Sequence, residues 1–193
     1  SGGLLASKSL KMKTDADKNT LIYPCNKKYR VYAVVAPSIS SQFVHVKVGQ
    51  VITALKQLGF YTVIEAALGA DMVAYKEAQE LAEKGFLTSS CCPAFVSYIE
   101  KAFPSLKELV SHNLSPMAEL GRYIKRTDPT AKVIFIGPCT AKKAEAQRDR
   151  VKEHVDCVLT FEELQAWIDS RDLDLKALEV GVLDNASYFG RIF

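Results

Sequence analysis

Two uninterrupted apolar runs, Val31-Tyr32-Ala33-Val34-Val35-Ala36 and Val133-Ile134-Phe135-Ile136, do most to narrow what this chain can fold into. A strand that alternates polar and apolar residues wets one face; one that is apolar throughout must be covered on both, as in a parallel sheet between helices. The intervening sequence supplies those helices. Val44, Val48, Val51, Ile52, Leu55 and Leu58 fall at helical spacing before Gly59, a natural C-terminal stop. Phe60 to Ile64 reads as a strand, and Asp71 to Lys84 as a helix with Ala74, Ala78 and Leu81 inward and Gly85 closing it. Phe86-Leu87-Thr88 reads as a short strand. Pro93 opens a helix with Phe95, Val96, Ile99 and Phe103 on one side, broken at Pro104, and Ser115-Pro116 opens another that ends near Asp128-Pro129. Val155 to Leu159 is a last strand, and Thr160-Phe161-Glu162-Glu163 is a capping-box signature ahead of a helix through Trp167. The expected fold is α/β, a mainly parallel sheet with helices on both faces.

Bulk properties exclude several function classes. With 193 residues, 48% hydrophobic and 24% charged, the chain has ample material for one core. A net charge of +3, with acids interleaved among the lysines and arginines, argues against nucleic acid or an anionic membrane as partner. No apolar window is long enough to span a bilayer. Ser1 to Thr20 reads as a tag remnant or flexible lead-in, which leaves 21–193 as the domain. Five cysteines, an odd number without secreted-scaffold spacing, argue against a disulfide framework and for a reducing, cytoplasmic setting.

The cysteines then carry the chemistry. Cys91 and Cys92 are adjacent in Thr88-Ser89-Ser90-Cys91-Cys92-Pro93-Ala94-Phe95, just before a proline-started helix. Cys139 lies in Pro138-Cys139-Thr140-Ala141-Lys142-Lys143-Ala144-Glu145. Thiolate is the soft ligand that iron–sulfur clusters require, helix N-termini favour negative charge, and lysines balance what remains. Both segments, and Pro37-Ser38, fall at the C-terminal ends of strands, where α/β sheets gather their ligands. Cys25 and Cys157 read as small hydrophobes, and His45, His112 and His154 as ordinary polar positions. Trp167, Leu164 and Ile168 form a core stripe.

At these residues the chain resembles the catalytic domain of the iron–iron (FeFe) hydrogenases. Thr88 to Phe95 is similar to that family's first cysteine motif with one serine, Ser90, extra, and Pro138 to Glu145 matches its second throughout. Ala36-Pro37-Ser38, Gly69-Ala70-Asp71 with Lys76-Glu77, and Ser111 to Pro116 resemble further family segments, so the similarity covers nearly everything after residue 30. The resemblance implies that Cys92 and Cys139 hold the 4Fe–4S part of an H-cluster and that the Cys91 thiol passes protons to its diiron part. It implies that Lys142 donates to one cyanide of the diiron unit and that Pro37 and Ser38 contact the other. Glu77, Ser111 and Glu145 are implied as the outward continuation of the proton route. H2 and protons would be the substrates, with electrons from a ferredoxin-like carrier or an adjoining ferredoxin domain.

Three departures stand out. The family's third, glycine-rich motif with two more cysteines does not appear before Phe193, so the expectation is a partial domain, inactive alone, that needs the remaining part of the hydrogenase domain. Gly137 stands where many members have methionine, and Ser90 lengthens the first motif. A sensory or regulatory relative that binds a cluster without high turnover is the alternative. An iron–sulfur assembly factor of the same superfamily is a further one, against which the Cys91-Cys92 pair counts.

Overall fold

The computed structural model describes residues 29–187. The expectations for Ser1 to Thr20, for Cys25 and for the stretch before Phe193 lie outside them. Four strands, β1 (Val31–Val35), β2 (Thr62–Glu65), β3 (Lys132–Gly137) and β4 (Cys157–Thr160), form one sheet in the order β2-β1-β3-β4. Every pairing is parallel, with Val34 opposite Ile64 on one side and Phe135 on the other. Val34, Val63, Ile134 and Ile136 are fully buried or nearly so, as strands covered on both faces require.

The helices are α1 (Ile39–Gln42), α2 (Val48–Gln57), α3 (Ala67–Lys84), α4 (Pro93–Ala102), α5 (Pro116–Thr127), α6 (Ala141–Glu145) and α7 (Phe161–Asp169). From β1 the chain moves to one side to make β2, then crosses back over β1 to make β3 on the other. Parallel crossovers are right-handed, so this reversal puts α2 and α5 on opposite faces. Phe43 and Phe60, which flank α2, meet Phe161 and Trp167 of α7 edge-to-face at 6.3 and 5.9 Å, so α7 shares the α2 face. The reversal between β1 and β3 is a topological switch point, the place at the strands' C-terminal ends where α/β folds gather their ligands.

Local chemistry sets the element ends. Gly59 and Gly85 follow α2 and α3 with φ of 97° and 75°, a region a side chain disfavours. Thr160 Oγ1 accepts from the Glu163 N–H at 3.2 Å, and Glu163 returns a carboxylate to the Thr160 N–H at 2.9 Å. The expected capping box is formed.

Several expectations shift. Val44 is 79% exposed and lies ahead of α2, which starts where the Lys47 N–H meets the Gln50 side chain at 2.9 Å. Helix α3 begins at Ala67, not Asp71, and buries Ala67, Gly69, Ala70 and Val73; Ala78 and Leu81 are exposed. Only its first half lies over the core. Its second half makes polar contacts with loops, described below. Phe86-Leu87-Thr88 forms no strand; Thr88 alone makes a parallel bridge, to Val110. Helix α4 buries only Pro93 and Ile99, leaving Phe95 and Phe103 exposed, because it packs mainly on the 3-10 turn (Pro104–Leu109) and on α6 rather than on the sheet.

A strap after the last 3-10 turn (Leu175–Ala177) runs back along α2 and the β2 edge. The Gly181 N–H donates to the Gly49 carbonyl at 2.9 Å, and the Asp184 N–H to the Val63 carbonyl at 3.0 Å. The Glu65 N–H donates to the Asn185 carbonyl at 3.0 Å. Asp184 also takes the Val63 N–H at 2.6 Å and an ion pair from Lys56.

Candidate functional site

The two cysteine segments meet at Lys142. Its ammonium donates to the Cys91 carbonyl at 2.9 Å and to Glu145 Oε2 at 2.8 Å. The side chain therefore ties the loop before α4 to the helix that follows Cys139. Arg148, just past α6, adds a second tie to α4 by donating to Ser97 Oγ at 3.0 Å. Glu145 is buried, and the adjacent ammonium compensates its charge.

Pro37 joins this edge from β1. The Ala36 N–H donates to the Ile136 carbonyl at 2.8 Å, which holds the Pro37 turn beside the one that leads to Cys139. Pro37 is half-buried, and Ser38, which precedes α1 without a side-chain capping bond, is exposed. Between the two turns a Cβ on Gly137 would stand 2.6 Å from the Phe135 ring and 3.3 Å from the Ala36 side chain. The glycine that departs from the family's methionine is thus matched by an aromatic ring filling the space.

Cys91 and Cys92 are exposed thiols, Cys139 is half-buried, and all three are free. Cysteine is otherwise among the most buried residue types, so two side by side at the surface are not packing elements. The Phe95 N–H points at Cys92 Sγ, 3.5 Å away, at the N-terminus of α4. Thiolate donors suit an iron–sulfur cluster, but two cysteines do not complete one: among the described residues no group of three or more His, Cys, Asp or Glu is placed to hold a metal ion. Cys157 stands apart, half-buried at the first position of β4.

The implied proton-route residues divide into two neighbourhoods. Glu77 accepts from Ser89 Oγ at 2.9 Å and from the Ser90 N–H at 3.4 Å, and Ser89 Oγ in turn accepts from the Cys91 N–H at 3.3 Å. Ser111 is buried and donates to Glu80 Oε2 at 2.9 Å. The loops carrying them are stitched together: the Ser111 N–H donates to the Thr88 carbonyl at 2.8 Å, and Ser90 Oγ to the Asn113 carbonyl at 2.8 Å. Ser90, the extra serine, is therefore a structural link in that stitch. Glu145 sits with Lys142, yet Glu145, Ser111 and Ser90 line one cavity of about 160 Å³, room for several waters.

Glu80 is the residue the sequence reading passed over. Burial works to raise its pKa, but hydrogen bonds from Lys84, Ser111 and the His112 N–H outweigh it and draw the carboxyl down to about 2. Lys84 Nζ lies 2.8 Å from Glu80 Oε1, and Asn113 Nδ2 donates to Oε2 at 2.9 Å. Glu80 follows Glu77 by three positions, so both fall on one helical face. That spacing was the available signal.

Residues 29–193 match the family model described as iron only hydrogenase large subunit, C-terminal domain. The chain belongs to that family. It is 29% identical to Iron hydrogenase 1 of Clostridium pasteurianum over 208 residues, covering 94% of this chain and 36% of that protein. It is 40% identical over 97 residues to a cytosolic Fe–S cluster assembly factor, NAR1, of Kluyveromyces lactis, covering 49% of this chain and 20% of the other. Among solved structures, FeFe-hydrogenase HydA1 from Chlamydomonas reinhardtii superposes with a TM-score of 0.75 at 25% identity, over 96% of this chain and 51% of that one. The chain thus spans roughly a third or less of the first curated relatives and half of that structure. The expected α/β class and family are borne out. Because relatives carry both hydrogenase and assembly-factor names, membership alone does not assign the reaction.

Proposed function

We propose that this chain forms part of the catalytic domain of an FeFe hydrogenase, which interconverts H2 with protons and electrons at an H-cluster. The observation that carries the reading is Lys142, whose ammonium binds the Cys91 carbonyl and Glu145 and so brings both cysteine motifs together. When bound, the 4Fe–4S cluster and its diiron partner would supply electron storage and an iron site for hydrogen. Cys92 and Cys139 are the proposed thiolates for the cubane. Pro37, Ser38 and Lys142 are the proposed contacts for the cyanides of the diiron unit, and a compact ammonium suits an anionic ligand.

Cys91 is the proposed proton donor nearest the cluster, with Ser89 and Glu77 behind it and the Glu80–Ser111 couple further out. Neutral thiol, carboxyl and hydroxyl groups within hydrogen-bond reach are what proton relay requires. The remaining part of the domain would bring further thiolates and cover the exposed apolar residues of α4, Phe95, Tyr98 and Phe103. Electrons would come from a ferredoxin-like carrier or an adjoining ferredoxin domain. The free thiols suit a cytoplasmic, reducing setting, and no helix among the described residues is long and apolar enough to cross a membrane.

The NAR1 similarity favours a second reading, a cluster-binding protein without hydrogenase turnover. A sensory relative belongs to the same outcome. Iron content and turnover of the full-length protein separate them. After anaerobic reconstitution, Cys92→Ala and Cys139→Ala should each lose the 4Fe–4S signal in electron paramagnetic resonance, whereas Cys157→Ala retains it. Equal iron in all three variants would defeat the ligand assignment. A full cubane without H2 turnover in the wild type would favour the second reading.

A further inference from the structure

His112 follows Ser111 in its loop, and its side chain is 62% exposed. Nδ1 lies 3.3 Å from Glu80 Oε1 and 3.2 Å from Lys84 Nζ, while Nε2 lies 3.9 Å from Glu108 Oε2. Arg150 Nη2 donates to the His112 carbonyl at 2.6 Å. The charged groups around the ring are therefore Glu80 and Lys84 from α3, Glu108 from the preceding 3-10 turn (Pro104–Leu109) and Arg150 from beyond α6. On its inner side Glu80 holds Ser111 and Asn113, and both His112 and Ser111 line the cavity that reaches Ser90 and Glu145.

We propose that His112 is the group through which protons pass between solvent and the Glu80–Ser111 couple, an inference that rests on the hydrogenase reading above. The ring has two hydrogen-bonding arrangements available at one atom. With Nδ1 protonated it donates to Glu80 and leaves Nε2 free to take a proton from solvent. The imidazolium then releases its Nδ1 proton to Glu80 Oε1, and the neutral ring that remains accepts from Lys84 at Nδ1. One proton enters at Nε2 and one leaves at Nδ1, so charge and atoms balance. Reversing the order carries protons outward.

Neither neighbour can replace the ring. An ammonium has no lone pair with which to accept a proton. The donors around Glu80 hold its carboxyl well below the usual range, so it carries a proton only briefly and needs an acid in contact to deliver it. Imidazole takes a proton at one nitrogen while releasing one from the other. His112 acts through Glu80 and touches no reacting atom, so it is a relay and positioning residue.

The test uses the full-length protein in weak buffer. His112→Ala and His112→Gln should both lower H2 turnover, by about tenfold or more, flatten its pH profile and raise the solvent deuterium isotope effect. Free imidazole should restore the alanine variant, while His45→Gln leaves turnover unchanged. Wild-type turnover and pH profile in both His112 variants, or a loss that imidazole does not mend, would overturn the proposal. A second readout needs no turnover: in carbon-13 spectra the Glu80 carboxylate must shift as the His112 ring titrates. An unresponsive Glu80 also overturns it. A responsive Glu80 in a protein that never turns over H2 would instead defeat the hydrogenase reading and leave the His112–Glu80 couple standing.

Discussion

At the scale of single residues, the site was legible where chemistry forces an unusual spelling and illegible where it uses ordinary letters. Cys91, Cys92, Cys139 and Lys142 sit in two short motifs that packing alone does not explain, and the structure brings Cys91 and Lys142 together. Glu80 and His112 carry no such spelling. A glutamate on a helix is usually solvated, and only the fold reveals that four donors converge on this one. The convergence has a pH consequence. Because the carboxyl is drawn from the usual 4.5 to about 2, its hydrogen bonds contribute fully above pH 4.5 and are lost as pH falls towards 2. Protection factors of the His112 and Asn113 amides, exchange rates taken relative to the unfolded chain at the same pH, should fall across that window in the wild type. In Glu80→Gln they should be lower already at neutral pH and nearly flat with acidification.

Elements were read well where they lie over the sheet and poorly where they do not. Strand β3 and helix α7 bury the residues their pattern indicates. The second half of α3, by contrast, has helical propensity but no core beneath it, so Ala78 and Leu81 could not be placed from spacing. Its first half is fixed by a close approach: a Cβ on Gly69 would lie 2.2 Å from the Pro116 carbonyl oxygen, which is backbone and cannot swing aside. Gly69→Ala should force α3 and α5 apart and cost about 1–3 kcal/mol, read as a lower midpoint in urea unfolding with an unchanged slope. The displacement would reach Glu77 and Glu80 at the far end of the same helix. An accompanying change in the environment of Ser89 or Ser111 would show that the helix transmits it as a rigid body.

For the molecule as a whole, alternating strands and helices announced a parallel sheet, but strand order could not be read from the sequence. The order matters more than the class, since the reversal between β1 and β3 places Pro37 beside the turn into Cys139. Nor was the strap foreseen: residues 179–185 carry little periodicity, and they are held by α2 and β2, more than a hundred positions earlier. Asp184→Ala removes the acceptor for the Val63 N–H and the partner of Lys56. Faster hydrogen exchange at Val63 and Glu65, with Ile134 and Ile136 unaffected, would show that the strap guards one flank without supporting the centre.

That strap also sets an order of events during synthesis. Strand β2 leaves the ribosome more than a hundred residues before Asp184 and Asn185 arrive to occupy its outer edge, and distant pairings of this kind form late. For that interval the nascent sheet offers an open row of amides and carbonyls to any other chain nearby. Slowing translation between residues 66 and 187 should lengthen the exposure and lower the yield of the monomer.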